Sequence, residues 1–209
     1  MQKKSLNYKT KSKTFFEVLV TVLLFIVLAV SVMRVALSLF YIRVYVIGSS
    51  MSGTIEGAAN EKVAGGEYVY AFRSSSPNRG DIVIVKPENK KDTIIKRVIA
   101  LGGDRIELKQ GVLYLNGEVK EEWYILPEHN TPTEPNNTFA ELTVPAGCMF
   151  CMGDNRNVSS DSRSEFYGCM PVVWTEAIVA DWSMALKKPI TDFNTYFDFT
   201  LPDAFGIKK

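Results

Sequence analysis

An apolar run near the N-terminus constrains this chain more than any other feature of its sequence. Val18–Met33 holds sixteen residues without a charged side chain, and after Arg34 the apolar run continues over Val35–Ile42. A helix needs about 20 apolar residues to cross a bilayer. Arg34 can be accommodated because long basic side chains near a helix end extend their charge towards the interface. We therefore predict one transmembrane anchor over residues 15–42.

Residues 1–14 contain five lysines and no acidic residue, which predicts a basic cytoplasmic tail by the positive-inside rule. The protein is then expected to cross the plasma membrane once, with the lipid bilayer as a partner and residues 43–209 as an extracytoplasmic domain. The alternative is a cleaved secretory signal, with Ala29-Val30-Ser31 as its cleavage site. The apolar sequence beyond Ser31 favours the permanent anchor.

The part of the chain beyond the apolar run is acidic. The whole chain has a net charge of +1, residues 1–14 carry five positive charges, and Glu17, Arg34 and Arg43 together add one more, so residues 44–209 carry −5. An acidic body argues against nucleic acid as a partner, because phosphate binding needs a basic surface. A chain of 209 residues with 46% hydrophobic residues can bury a core without a disulfide scaffold. Nothing in the sequence indicates an oligomeric state.

Short apolar runs separated by turn signals predict a mainly β domain after the anchor. The candidate strands are residues 81–86, 105–109, 111–115, 148–152 and 177–180. Asn116-Gly117 is the strongest hairpin signal, because both residues tolerate positive φ. Pro127–Thr138 is polar and rich in proline, so it is predicted to be an exposed loop.

Histidine and cysteine chemistry is disfavoured by the sequence. His129 is the only histidine and lies in the polar loop, where a solvated side chain is more common than a catalytic one. Cys148 and Cys151 form a C-x-x-C pair, but no second pair completes a zinc site. Residues three apart in a strand point to opposite faces. We expect no metal, no cofactor and no disulfide between these two cysteines.

A serine activated by a lysine is the remaining route to a nucleophile. A serine hydroxyl is a weak nucleophile until a neighbour accepts its proton, and a lysine amine is neutral near pH 7 only if desolvation lowers its pKa by several units. Lys96 lies among apolar residues, and in a strand it shares a face with Ile94 and Val98. This segment alone favours an outward-facing lysine on an amphipathic strand.

Four segments together resemble the sequence boxes of type I signal peptidases. Ser50–Thr54 is similar to the serine box S-M-x-P-T, Arg79–Val83 to the R-G-D-I-V strand, and Lys96–Asp104 to the lysine box K-R-V-x-G-x-x-G-D. Gly153–Arg163 resembles the box G-D-N-R-x-x-S-x-D-S-R, which is the longest and most specific. All four follow the family's order behind an anchor, over roughly residues 15–182, as in the compact Gram-positive form of these enzymes.

The resemblance implies a serine endopeptidase with a Ser-Lys dyad. Ser50 is expected to be the nucleophile, and its backbone N–H an oxyanion donor. Lys96 is expected to be the general base and later the acid for the leaving amine. Ser159 is expected to hydrogen-bond the lysine and orient it. The other implied supporting residues are an ion pair and a turn beneath the site: Asp161 with Arg163, and Gly153 with Asp154.

The implied function is the removal of signal peptides from exported preproteins, by cleavage after small-x-small sites such as Ala-x-Ala through an acyl-enzyme. The implied fold is a β-rich catalytic core with its site near the membrane. The implied substrate-binding residues, in shallow pockets for small side chains, are Val44, Val46, Met51 and Ile95. The alternative is an idle or dedicated relative that acts as a membrane-tethered assembly or pilus-associated module. The presence of both Ser50 and Lys96 argues against an idle relative.

Three glycines depart from the family pattern. Gly53 stands where the family usually has proline, so the turn after the nucleophile is expected to be less rigid. Gly48 occupies a position where some members have a serine that donates to the oxyanion hole, and Gly103 follows Gly102 where Pro-Gly is frequent. None of the three removes a catalytic group.

Overall fold

The structure, a computed structural model, describes residues 2–60, 65–88 and 90–180, with side chains from residue 14 onward. The chain divides into two units after Tyr41. The predicted catalytic domain runs to residue 209, and its last part, residues 181–209, lies outside the described residues. The predicted boundaries of tail, anchor and catalytic domain therefore stay predictions.

The first unit is one long helix, α1 (Gln2–Phe40). Its portion Thr14–Phe40 is long and apolar enough to cross a membrane, with a mean hydropathy of 2.8 and no burial within the protein. The predicted anchor ran to Ile42, but α1 ends at Phe40 and the chain enters a strand at Tyr41. The sequence Tyr-Ile-Arg-Val-Tyr explains this change, because aromatic and β-branched residues suit a pleated, half-buried strand.

The second unit contains two β-sheets. The seven-stranded sheet has the order β1 (Tyr41–Tyr45), β2 (Tyr68–Phe72), β11 (Thr175–Val179), β3 (Ile82–Val85), β4 (Ile94–Leu101), β9 (Cys148–Met152) and β10 (Met170–Pro171). The four-stranded sheet has the order β7 (Glu118–Lys120), β6 (Val112–Leu115), β5 (Arg105–Lys109) and β8 (Phe139–Thr143). All five predicted strands are confirmed. Asn116 and Gly117 form the predicted tight hairpin turn, with φ values of 56° and 86°.

Strand β4 joins the two sheets and carries the predicted base. It is flanked by β3 and β9 in the seven-stranded sheet. Ile99 of β4 and Phe150 and Met152 of β9 pack against apolar residues of the four-stranded sheet, which include Ile106 and Leu108 of β5. A strand buried on both faces needs a nearly continuous apolar sequence, which is the pattern around Lys96. The lysine is therefore buried within the domain.

The prediction that Pro127–Thr138 is an exposed loop is wrong for part of this segment. It forms two short 3₁₀ turns, Pro127–His129 and Pro135–Asn137. Asn137 is fully buried, and its Nδ2 donates to Thr131 O at 2.9 Å and to Asn157 Oδ1 at 3.1 Å. The polar composition satisfies buried hydrogen bonds here, which local sequence alone does not distinguish from solvation.

Candidate active site

The structure brings the predicted nucleophile and the predicted base into contact, although they are 46 residues apart. Lys96 Nζ donates to Ser50 Oγ at 2.8 Å and also lies 2.8 Å from Ile95 O. Ser50 begins a turn, and its carbonyl oxygen accepts from Asn155 N–H at 3.0 Å. Among the described residues nothing accepts a hydrogen bond from Ser50 N–H. That N–H is therefore available to a substrate carbonyl oxygen.

Burial favours the neutral form of the Lys96 amine. Lys96 is only 4% exposed, and this burial lowers its pKa from 10.5 to about 8, against the opposing charge of Asp161. The positive charge of Arg163 acts in the same direction as burial. The neighbouring Cys151 thiol is also buried, which raises its pKa and keeps it neutral. A substantial share of neutral amine at neutral to mildly alkaline pH follows from this environment.

Asp161 and Arg163 form the predicted ion pair. Arg163 Nε and Nη2 donate to the two carboxylate oxygens of Asp161, each at 2.9 Å, and both side chains are buried. Burial alone would raise the pKa of Asp161, but the hydrogen bonds and charge of Arg163, with the Gly153 N–H, hold it below its usual range. Arg163 Nη1 also donates to Asn137 Oδ1 at 2.8 Å. The pair is thus fixed from several sides.

The predicted hydrogen bond from Ser159 to the lysine is absent from the structure. Ser159 is buried, close enough to Asp161 to help lower its pKa, yet Ser159 Oγ has no hydrogen bond of regular geometry with any described residue. Gly153 packs directly against it, since a Cβ there would overlap both Ser159 Oγ and Ser50 O. Ser159 therefore lies at the site with its hydroxyl uncommitted.

Asp154, the other predicted turn residue, binds the residue next to the base. Arg97 Nε and Nη2 donate to its two carboxylate oxygens at 2.9 and 2.7 Å, and both side chains are almost fully buried. The Arg97 guanidinium also lies 3.9 Å from the centre of the Tyr124 ring. The pair ties β4 to the segment that follows β9.

The four predicted substrate-binding residues lie together but differ in exposure. Val44 and Ile95 are half-buried and pack on one apolar cluster, whereas Val46 and Met51, at 2% and 0% exposed, belong to its interior. The structure therefore contradicts a direct surface role for the Val46 and Met51 side chains. Met51 follows Ser50 in the turn, and its side chain is fully buried in the core, as is that of Ile55. Of these four residues, only Val44 and Ile95 have side-chain surface that a peptide could contact.

Sequence reasoning missed the segment that borders this site. Arg156, fully buried, donates to Glu122, with Nη1 to Oε2 at 2.9 Å. His129, predicted to be solvated, is half-buried, and its Nδ1 would lie 3.3 Å from a Cβ on Gly53. No motif or periodic pattern within residues 121–131 indicated this packing. Arg156 belongs to the last sequence box, and a buried arginine needs a carboxylate partner. That requirement is the one sequence signal that pointed to an acidic residue nearby.

The three cysteines all lie in the described part of the chain and are free thiols there. Cys151 is buried in β9. Cys148 and Cys169 are half-buried, and both pack against the apolar cluster that includes Ile106 and Phe150. Burial raises the pKa of the Cys169 thiol above its usual value. The cysteines thus act as small apolar residues of the core.

Comparisons with known proteins identify the family of the chain. The chain matches the family model for signal peptidase, peptidase S26, over residues 17–186. It is 31% identical over 173 residues to signal peptidase I of Bacillus licheniformis, covering 78% of this chain and 84% of that protein. It is 32% identical over 163 residues to signal peptidase I U of Bacillus subtilis (strain 168), covering 77% and 82%. A crystal structure of a signal peptidase I from Enterococcus faecalis V583 aligns with a TM-score of 0.43 and 28% identity, over 50% of this chain and 97% of that one. The chain therefore belongs to the signal peptidase family, peptidase S26.

Proposed function

We propose that this protein removes signal peptides from exported preproteins, with Ser50 as the nucleophile and Lys96 as the general base. The observation that carries this proposal is the 2.8 Å contact between Lys96 Nζ and Ser50 Oγ, made by an almost fully buried lysine. Family membership supports the reaction. The idle or pilus-associated alternative has no comparable support, because both reacting groups are present and in contact.

The geometry suggests the following sequence of proton transfers. Neutral Lys96 accepts the proton of Ser50 Oγ, which attacks the carbonyl carbon of the scissile peptide bond. The Ser50 N–H stabilises the resulting oxyanion. Lys96 then protonates the departing amine of the mature protein, and the signal peptide remains as an ester on Ser50. Water, deprotonated by Lys96, attacks the ester carbonyl, and collapse releases the signal peptide's carboxylate and restores the serine.

Specificity for small residues fits the half-buried pair Val44 and Ile95. Both pack on a cluster whose interior includes the fully buried Met51. A shallow apolar depression with a packed floor excludes large side chains by steric overlap. We propose that these two residues contact the small residues of an Ala-x-Ala site.

The apolar helix fits a membrane-anchored enzyme. We propose that it crosses the plasma membrane once, with its lysine-rich start in the cytoplasm and the β unit outside. Sodium carbonate extraction of membranes should leave the protein in the pellet, and added protease should digest the β unit in intact protoplasts. Full release by carbonate, or complete protection from protease, would contradict this topology.

Cleavage of a preprotein with an Ala-x-Ala site tests the function. Full-length protein in detergent is compared with Ser50→Ala, and the new N-terminus of the product is sequenced. Ser49→Ala is a matched control, since it removes the adjacent exposed hydroxyl. We expect cleavage after the site by the wild type and Ser49→Ala, and none by Ser50→Ala. Failure of the wild type on several preproteins would contradict the proposal.

A further inference from the structure

The turn that carries the nucleophile adopts a conformation that proline cannot adopt. This nucleophile turn, Ser49–Ile55, is closed by hydrogen bonds from Ser52 N to Ser49 O and from Ile55 N to Met51 O. Gly53 within it has a φ of +92°, whereas proline is fixed near −65°. The backbone at this position therefore requires glycine, and a glycine by itself leaves the turn flexible.

Two side chains from a distant segment lie against this glycine. A Cβ on Gly53 would be 3.1 Å from Leu126 Cγ and Cδ1 and 3.3 Å from His129 Nδ1. His129 Nδ1 is buried without a hydrogen-bond partner among the described residues, so this side of the ring makes only packing contacts. Leu126 and His129 are joined by a hydrogen bond from His129 N to Leu126 O at 2.9 Å. They form one turn that covers Gly53.

The same covering turn is attached to the last sequence box. Asn157 N donates to His129 O at 3.1 Å, and Asn157 Nδ2 donates to Glu128 O at 2.9 Å. Two residues earlier, Asn155 N donates to Ser50 O at 3.0 Å. The segment around Asn155 and Asn157 therefore holds the nucleophile turn at Ser50 directly, and at Gly53 through the covering turn.

We propose that Leu126 and His129 are positioning residues that hold the nucleophile turn rigid by packing against Gly53. This inference rests on the proposed function for its effect on catalysis. Loss of the contact leaves Ser50 less well placed against Lys96 before the attack. Small displacements of a reacting atom lower the rate more than they weaken substrate binding.

Leu126→Ala in the full-length protein tests the proposal, with Val119→Ala as the control. Val119 is also exposed and aliphatic but lies on β7. Amide hydrogen exchange reports rigidity without any need for activity. We expect Leu126→Ala to accelerate exchange in residues 49–57 about tenfold, to leave β4 unchanged, and to be restored by Leu126→Met. Unchanged exchange in residues 49–57, or equal acceleration in Val119→Ala, would overturn the proposal.

Preprotein cleavage provides the second readout. We expect Leu126→Ala to lower kcat about tenfold with KM within about twofold of wild type, while Leu126→Met and Val119→Ala keep the wild-type kcat. An unchanged kcat in Leu126→Ala, beside an active wild type, would overturn the proposal and leave the proposed function intact. An inactive wild type would contradict the proposed function, and hydrogen exchange would still decide whether Leu126 holds the turn.

Discussion

Arg156 and Glu122 form a bidentate ion pair across 34 residues of sequence, and the arginine side chain is completely buried. Arg156 Nε also donates to Gly153 O at 3.1 Å, and Tyr124 Oη donates to Glu122 Oε1 at 2.6 Å. The pair thus connects the segment that covers the nucleophile turn with the box that carries Ser159 and Asp161. This ion pair, which lies outside the Ser50–Lys96 contact, therefore joins the two segments that border the site.

Glu122→Gln should destabilise the protein strongly, because it leaves the Arg156 charge buried without a counter-charge. Removing one partner of a buried pair costs about 3–5 kcal/mol. Glu118→Gln is the control, since its pair with Lys120 is exposed and such pairs contribute about 0–1 kcal/mol. Thermal unfolding of the purified protein measures both. Equal shifts for the two variants would contradict this account of Arg156.

Gly153→Ala should abolish cleavage, because its Cβ would overlap Ser159 Oγ and Ser50 O and displace the nucleophile. Gly147→Ala provides the control. Gly147 has a φ of +75°, and no atom beyond its chain neighbours lies within 4 Å of the position that a Cβ would take. Gly147→Ala therefore adds only backbone strain, of about 1 kcal/mol. Preprotein cleavage at saturating substrate separates the two. Retention of wild-type activity by Gly153→Ala would show that the packing against Ser50 is unimportant.

The two buried serines of the last box should respond differently to alanine. Ser162 Oγ accepts from Cys151 N at 3.0 Å, so Ser162→Ala leaves a buried N–H unpaired, at a cost of about 1–3 kcal/mol. Ser159 Oγ has no such bond with a described residue. Ser159→Ala should therefore leave stability within about 1 kcal/mol of wild type and lower only the rate, through the uncommitted hydroxyl beside the dyad. Thermal unfolding and cleavage are measured together. A large loss of stability in Ser159→Ala would contradict its assignment.

Arg163 should influence the pH dependence of cleavage through the pKa of Lys96. Its positive charge lowers the pKa of Lys96 while Asp161 raises it, so Arg163→Gln should raise the lysine pKa. The midpoint of the pH profile of kcat/KM should then move to higher pH, and cleavage at pH 7 should fall. Arg163→Lys keeps the charge and should keep the midpoint near its wild-type position. A midpoint that moves equally in both variants would assign the effect to shape rather than charge.

The proximity of Ser50 and Lys96 could be predicted because four motifs occur together in the order typical of one family. The Lys96 segment alone favoured an outward-facing lysine, although strand periodicity placed Lys96 on the face of Ile94 and Val98. Strands with continuous or alternating apolar residues, such as β3 and β5, were predictable for the same reason.

Most supporting contacts could not be predicted, because they join residues far apart in the sequence, whereas the Asp161–Arg163 pair lies within one sequence box. Asn137 lies in the polar segment Pro127–Thr138, which resembles a solvated loop until Arg163 is placed beside it. Glu122 precedes that segment and gives no local sign of its pair with Arg156. Met51 was assigned to a substrate pocket by resemblance, and the direction of one turn places it in the core instead. Ser159 was expected to bind the lysine, but its hydroxyl makes no hydrogen bond of regular geometry with a described residue and lies beside Asp161.

The central claim is that burial makes Lys96 the base for Ser50, and the pH dependence of kcat/KM for preprotein cleavage tests it most directly. Because the neutral amine is the active form and the pKa of Lys96 is about 8, kcat/KM should rise about tenfold per pH unit below a midpoint near pH 8 and level off above it. Lys96→Ala should show no cleavage at any pH. A rate independent of pH between about 6 and 9, or cleavage retained in Lys96→Ala, would contradict the account.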